Sequence, residues 1–205
     1  MRVILNSVPA RDTAQLARRA LTVVGTLSLG YCLAIFLDAK LYQAREAREF
    51  DQELRLQAES KPAALTSIAP VALPARHGVV GSLQIPRIGV AVMVVEGTNE
   101  GDLKRAVGHI PGTALPWDSG KGGLAGHRDT FFRSLRSIQA DDNISLTTLR
   151  GDYRYRVLST SVVEPDDIQV LYPTDHDSLT LVTCFPFEYI GSAPSRFVVR
   201  AQRIQ

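Results

Sequence analysis

The sequence predicts a mainly β domain, a closed barrel or sandwich with short helices, carried behind one N-terminal transmembrane helix. Three observations lead there. Residues 20–37 form an uncharged, largely apolar run of 18 residues. Beyond residue 77, short β-branched stretches alternate with Gly, Pro, Asn and Asp turn signals at a spacing that suits many short strands. Between the two, residues 60–76 hold Pro62, Pro70 and Pro74 without periodicity, which marks an extended linker.

Taken in order, residues 1–19 are polar and carry Arg2, Arg11, Arg18 and Arg19 against the single acid Asp12. A helix over residues 20–37 is about 27 Å long, enough to cross the hydrocarbon core of a bilayer. The run exceeds the usual length of a signal-peptide core, and Leu37-Asp38-Ala39 is not a small-residue cleavage site, so the expectation is an uncleaved anchor. Charge gives little orientation, because Lys40, Arg45, Arg48 and Arg55 follow the span almost as densely as the arginines precede it. Residues 39–59, rich in Ala, Leu, Gln, Glu and Arg, predict a helix continuing the span as a solvated stalk. Arg45/Glu49 and Asp51/Arg55 support it as pairs one turn apart. The domain boundaries are then 1–19, 20–37, 38–76 for stalk and linker, and 77–205 for the globular domain.

Within the globular domain the expected strands are 79–85, 89–95, 122–127, 143–149, 153–163, 178–184 and 196–203. Arg150-Gly151-Asp152 supplies a hairpin turn. Short helices are expected over 99–107 and 165–171, the second opening on Pro165-Asp166-Asp167. The net charge of +2, from 23 basic and 21 acidic residues, contains no basic tract, which argues against a nucleic-acid partner. One of the two cysteines, Cys32, lies in the apolar run, so the domain carries a single free thiol, Cys184.

That thiol ends the β-branched run Leu179-Thr180-Leu181-Val182-Thr183-Cys184, which Pro186 terminates because it has no N–H for a ladder. Alternation puts Thr180, Val182 and Cys184 on one face and Leu181 and Thr183 on the other. A Gly/Ser/Pro loop then leads into a strand that starts at Arg196, an arrangement suited to placing a thiol beside a guanidinium. Far upstream, Gly123-Leu124-Ala125-Gly126-His127 is a second short strand, ending in a histidine. Cysteine and histidine distant in sequence, both at strand ends, suit a thiol nucleophile and its proton partner.

Other motifs fall away. His127-Arg128-Asp129 imitates a kinase catalytic loop but lacks the following Asn and any glycine-rich loop. Gly191-Ser192-Ala193 lacks the second glycine of a nucleophile elbow. Cys184, His127 and His109 lack the fourth ligand and the paired spacing of a metal site.

The run TLVTC followed by FPFEYIGSAPSR, with AGHRDTFF upstream, resembles the sortases, membrane-anchored cysteine transpeptidases, and is most similar to their class D-like group. The resemblance covers roughly residues 77–205 and implies the sortase β-barrel. By the family pattern His127, Cys184 and Arg196 match the catalytic histidine, cysteine and arginine, and His109 falls in a segment near the substrate groove; Thr183, beside the nucleophile, is a second substrate-binding candidate, better suited to local packing or hydrogen bonding than to reaction. The implied reaction is attack of Cys184 on an LPxT-type sorting signal, a thioacyl enzyme, and transfer to an amine. His127 would serve as acid and base. Arg196 suits either substrate binding or oxyanion stabilisation. Implied partners are secreted proteins with C-terminal LPxT-like signals and an amine from a cell-wall precursor or a pilin lysine. No cofactor is implied; the Ca²⁺ stimulation of some members would need a carboxylate cluster that the sequence does not mark. The resemblance also places the N-terminus in the cytoplasm and the catalytic domain outside a bacterial cell membrane. A membrane-tethered cysteine hydrolase acting on similar peptides is the alternative on the same residues.

Overall fold

The computed structural model describes residues 10–60 and 78–204. The N-terminal segment before residue 10 and nearly all of the linker expected over 60–76 lie outside the described residues. The chain divides into two compact units, Met1–Lys40 and Leu41–Gln205.

Helix α1, Ala10–Ser60, runs without a break for 51 residues and passes through both units. Over residues 20–37, in the first unit, it is uncharged and largely apolar, with Leu21, Leu27, Leu29 and Tyr31 all exposed. A helix of this length and composition, unburied among the described residues, is a candidate membrane span. In the second unit the helix does not stand clear in solvent as a stalk would. Phe50 is buried, and the Gln43 amide reaches the barrel, accepting from Met93 N at 2.8 Å and donating to Arg105 O at 2.7 Å.

Eight strands close into a barrel: β1 Val79–Ile85, β2 Val90–Glu96, β3 Val107–His109, β4 Lys121–Ala125, β5 Asn143–Thr148, β6 Gly151–Val163, β7 Ser178–Phe185 and β8 Ser195–Arg203. Around the barrel the order is β1-β2-β3-β4-β7-β8-β6-β5, with β5 returning to β1. β2·β3 and β4·β7 are parallel; the other neighbours are antiparallel. The core is apolar and continuous, built from residues such as Leu83, Ile85, Val94, Leu124, Phe132, Ile144, Leu146, Leu181 and Val199.

The structure adjusts several sequence expectations. β3 is new; its three residues are too few to show a period, and the expected helix over 99–107 overlapped only the first of them. The helix there, α2, is Glu100–Arg105, started by the Asn99 side chain accepting from Asp102 N. The second expected helix shrinks to a 3₁₀ turn, Ile168–Leu171, entered through the Asp167 side chain. The β5–β6 hairpin turns at Leu149-Arg150, with Thr148 and Gly151 paired across it. β4 stops at Ala125, so Gly126 and His127 lie just past its end.

Candidate active site

The register of β7 and β8 decides which side chains meet. Leu179 and Leu181 enter the core from β7, as Val199 and Ala201 do from β8. Alternation therefore sends Thr180, Val182 and Cys184, and Arg196, Val198 and Arg200, to the outer face. Cys184 pairs directly with Arg196, Val182 with Val198, and Thr180 with Arg200. Directly opposed residues on one face have Cβ atoms about 5 Å apart, so Cys184 and Arg196 start as neighbours.

His127 arrives from the other side. β4 runs parallel to β7, with Ala125 beside Val182, so the chain leaving β4 emerges at the same rim as Cys184. Two hydrogen bonds extend the pairing past the strand end: Gly126 N donates to Val182 O at 3.2 Å, and Thr183 Oγ1 to Gly126 O at 2.7 Å. Gly126 is required here, because a Cβ would lie 2.8 Å from Phe132 Cδ2. His127 O accepts from Phe132 N at 3.0 Å, closing a tight turn over that ring. His127, Asp129, Cys184 and Arg196 then line one open cleft of about 350 Å³, walled by Arg128 and residues 191–193.

The loop after Cys184 is pinned on two sides. Beneath it Phe185, Phe187 and Phe197 form an aromatic trio with centroids 5.2–6.2 Å apart. Above it, arginines take its carbonyls: Arg196 Nη1 donates to Ala193 O and Ser195 O, at 3.3 and 3.1 Å. Farther along the outer face, burial and the charge of Arg200 both push the Lys121 ammonium down from its ordinary range. Opposite Arg200, the Thr180 hydroxyl is buried and has no hydrogen-bond partner among the described residues. At the histidine side, Lys104 bonds Glu100 at 2.7 Å and holds that carboxyl below its ordinary range, with His127 a smaller influence in the same direction.

The two substrate-binding candidates, His109 and Thr183, are both buried. His109 is buried in β3, with Nδ1 2.8 Å from Glu96 Oε2 and Nε2 3.0 Å from Thr113 Oγ1 and 3.2 Å from Ala114 O. It borders a void of about 10 Å³, room for no more than a single water. Thr183 is buried too, its hydroxyl spent on Gly126 O. Neither lines the Cys184 cleft. Arg128 and Glu100 went unremarked in the sequence. Arg128 stood inside the discarded His-Arg-Asp triplet, and its partners are backbone atoms that no side-chain pattern announces. Among the described residues no group of three His, Cys, Asp or Glu side chains converges as a metal site would require.

A sortase-domain family model matches residues 83–204, more than half of the chain. The chain belongs to the sortase family. This sortase is 35% identical over 125 residues to Sortase D of Bacillus subtilis (strain 168), a match spanning 60% of this chain and 63% of that protein. The chain thus spans less than two thirds of that relative's length. It is 29% identical over 153 residues to Sortase A of Listeria monocytogenes serovar 1/2a, covering 71% of this chain and 67% of the relative. Among solved structures, a Clostridium perfringens Sortase D5 transpeptidase superposes with a TM-score of 0.64 at 27% identity, covering 80% of this chain and 99% of that one. Sortase C2 of Group B Streptococcus Pilus Island 1 gives a TM-score of 0.59 at 29% identity, with 63% and 76% covered. The sortase is class D-like, and its closed eight-stranded barrel is the family's fold. Sortase family members are transpeptidases.

Proposed function

We propose that this sortase is a membrane-anchored cysteine transpeptidase that cleaves an LPxT-type sorting signal on secreted proteins and joins the freed acyl group to an amine. The observation that carries the reading is the pairing of Cys184 with Arg196 at the mouth of a cleft that His127 also lines. Cys184 Sγ, as the thiolate, attacks the carbonyl carbon of the signal's Thr, and the carbonyl oxygen takes up the electron pair. Arg196, permanently charged, offers N–H donors to that oxygen or to the peptide beside it. Collapse expels the amine, which takes a proton from His127, and leaves a thioester on Cys184. An incoming amine, from a cell-wall precursor or a pilin lysine, attacks the thioester and gives its proton to His127 as the thiolate leaves. The helix over residues 20–37 anchors the enzyme as a single-pass protein, with the barrel outside the cytoplasm. No metal or other cofactor enters the scheme.

The test uses quenched fluorogenic peptides carrying Leu-Pro-x-Thr followed by Gly or Ala, with and without an added amine. Wild-type protein cleaves after Thr, forms the transpeptidation product when amine is present, and shows a thioester on Cys184 by mass spectrometry with a slow acceptor. Cys184→Ala folds but does neither. Substantial turnover by the alanine variant sinks the assignment, and product that stays fully hydrolysed at saturating amine makes the enzyme a hydrolase.

A further inference from the structure

Residues 186–194 leave the sheet between β7 and β8, so their carbonyl oxygens need donors from elsewhere. Arg196 serves the far end of the loop. Arg128 serves the near end, immediately after the nucleophile. Its Nη1 donates to Pro186 O at 3.1 Å, and its Nη2 to Tyr189 O at 2.6 Å and Gly191 O at 3.0 Å. Its guanidinium carbon also lies 5.9 Å from the centroid of the Tyr189 ring. Among the described residues Arg128 has no carboxylate partner, so its bonding capacity goes to the backbone of this one loop.

These bonds complete a bracket. On the inner side, Gly126, one step before His127, is tied to Val182 and Thr183, two steps and one step before Cys184. On the outer side, Arg128 is tied to Pro186, one step after His127 and two after Cys184. The inner tie is buried, whereas the outer tie depends on one half-buried side chain. We propose that Arg128 is a positioning residue: by clamping the 186–191 turn to the histidine-bearing segment it fixes the alignment of Cys184 with His127. The kinetic consequence rests on the transpeptidase reading; the clamp itself does not. Without the guanidinium, the outer part of the turn retains the exposed Arg136–Glu188 pair, at 3.1 Å, and the long Tyr189 N to Pro186 O bond, at 3.4 Å, while Ile190 is already 97% exposed. Three carbonyls spread over the turn suit a planar fork of donors, which a lysine ammonium does not reproduce.

The experiment compares Arg128→Gln, Arg128→Lys and Arg136→Gln in the full-length protein in detergent. Peptide cleavage is normalised to the titratable Cys184 thiol, and amide hydrogen exchange is followed over residues 187–193. Arg128→Gln is expected to lose roughly 10²-fold in kcat, the scale of a small misplacement of reacting groups, with peptide KM nearly unchanged. Its loop amides exchange faster. Arg128→Lys recovers little of the lost kcat, and Arg136→Gln matches wild type in both readouts. Wild-type kcat in Arg128→Gln overturns the proposal; so does full rescue by lysine, or an equal loss in Arg136→Gln. Should the glutamine variant fail to accumulate, the lysine variant alone carries the same comparison. If Cys184→Ala still cleaves the peptides, the catalytic reading falls, and unchanged exchange in the Arg128 variants is what removes the clamp.

Discussion

Arg196 and Arg200 share one face of β8, yet they meet different neighbours. Arg196 faces Cys184 across the ladder and donates to two loop carbonyls at the cleft. Arg200 faces Thr180 and makes a long, 3.4 Å bond to Ser161 Oγ, away from the thiol. Losing an oxyanion donor typically costs about 10²–10³ in turnover, and lysine keeps the charge without the planar fork. Arg196→Lys is therefore expected to lose activity on that scale with its melting midpoint almost unchanged, and Arg200→Lys to stay near wild type. Cleavage rates and midpoints measured side by side decide it; equal, mild effects would reduce Arg196 to a surface residue. At this scale much was legible. Alternation alone put Cys184 on one strand face with Thr180 and Val182, because the period of a strand is independent of its partners. The clamp by Arg128 was not legible, since its acceptors are backbone atoms brought near only by the fold. The surroundings of His109 were hidden for a related reason: a histidine in a loop-like segment shows no sign that Glu96 and Thr113 will bond it.

Among the elements, short turns hold more than their length suggests. The 3₁₀ turn Pro86–Ile88 between β1 and β2 carries Arg87, which bonds both carboxylate oxygens of Asp142, at 2.6 Å from Nη2 to Oδ2, just ahead of β5. Asp142 also accepts from Gln139 N at 2.8 Å, and its side chain is only 5% exposed. The bond from Arg87 holds the Asp142 carboxyl below its ordinary value of 3.8, against the opposing effect of burial, and Gln139 adds to it. The folded state thus favours the carboxylate, while the unfolded chain takes up its proton at the higher pH. The resulting stability is present above the ordinary value and disappears as pH falls through the lower folded one. The melting midpoint should fall as pH drops below about 4. Asp142→Asn should melt lower at neutral pH and show a flatter acid limb. Parallel limbs in calorimetry would remove Asp142 from the acid response. The docking of α1 was the least legible feature here. One buried aromatic, Phe50, and one amide, Gln43, leave no repeating apolar stripe for a sequence to display.

At the scale of the whole molecule, topology explains why residues so far apart converge. Parallel strands deliver their C-terminal ends to the same rim, and an antiparallel neighbour begins there. β4 and β7 are parallel and β8 is antiparallel to β7, so His127, Cys184 and Arg196 reach one edge of the barrel. Strand positions were largely readable from turn signals and β-branched runs. Pairing direction was not, because it depends on which strands become neighbours. The same limit applies to orientation in the membrane, where charge bias is nearly balanced across the span. A cleft that acts on secreted proteins has to lie on the side to which they are exported, so the proposed reaction itself sets the direction of α1. A reporter active only outside the cytoplasm, fused after Gln205, should therefore be active, and the same fusion with residues 20–37 deleted should be inactive. Fractionation should find the intact protein in the membrane. A soluble product beginning near Lys40 would mean that the apolar run is removed, and an inactive full-length fusion would place the barrel on the wrong side for its substrate.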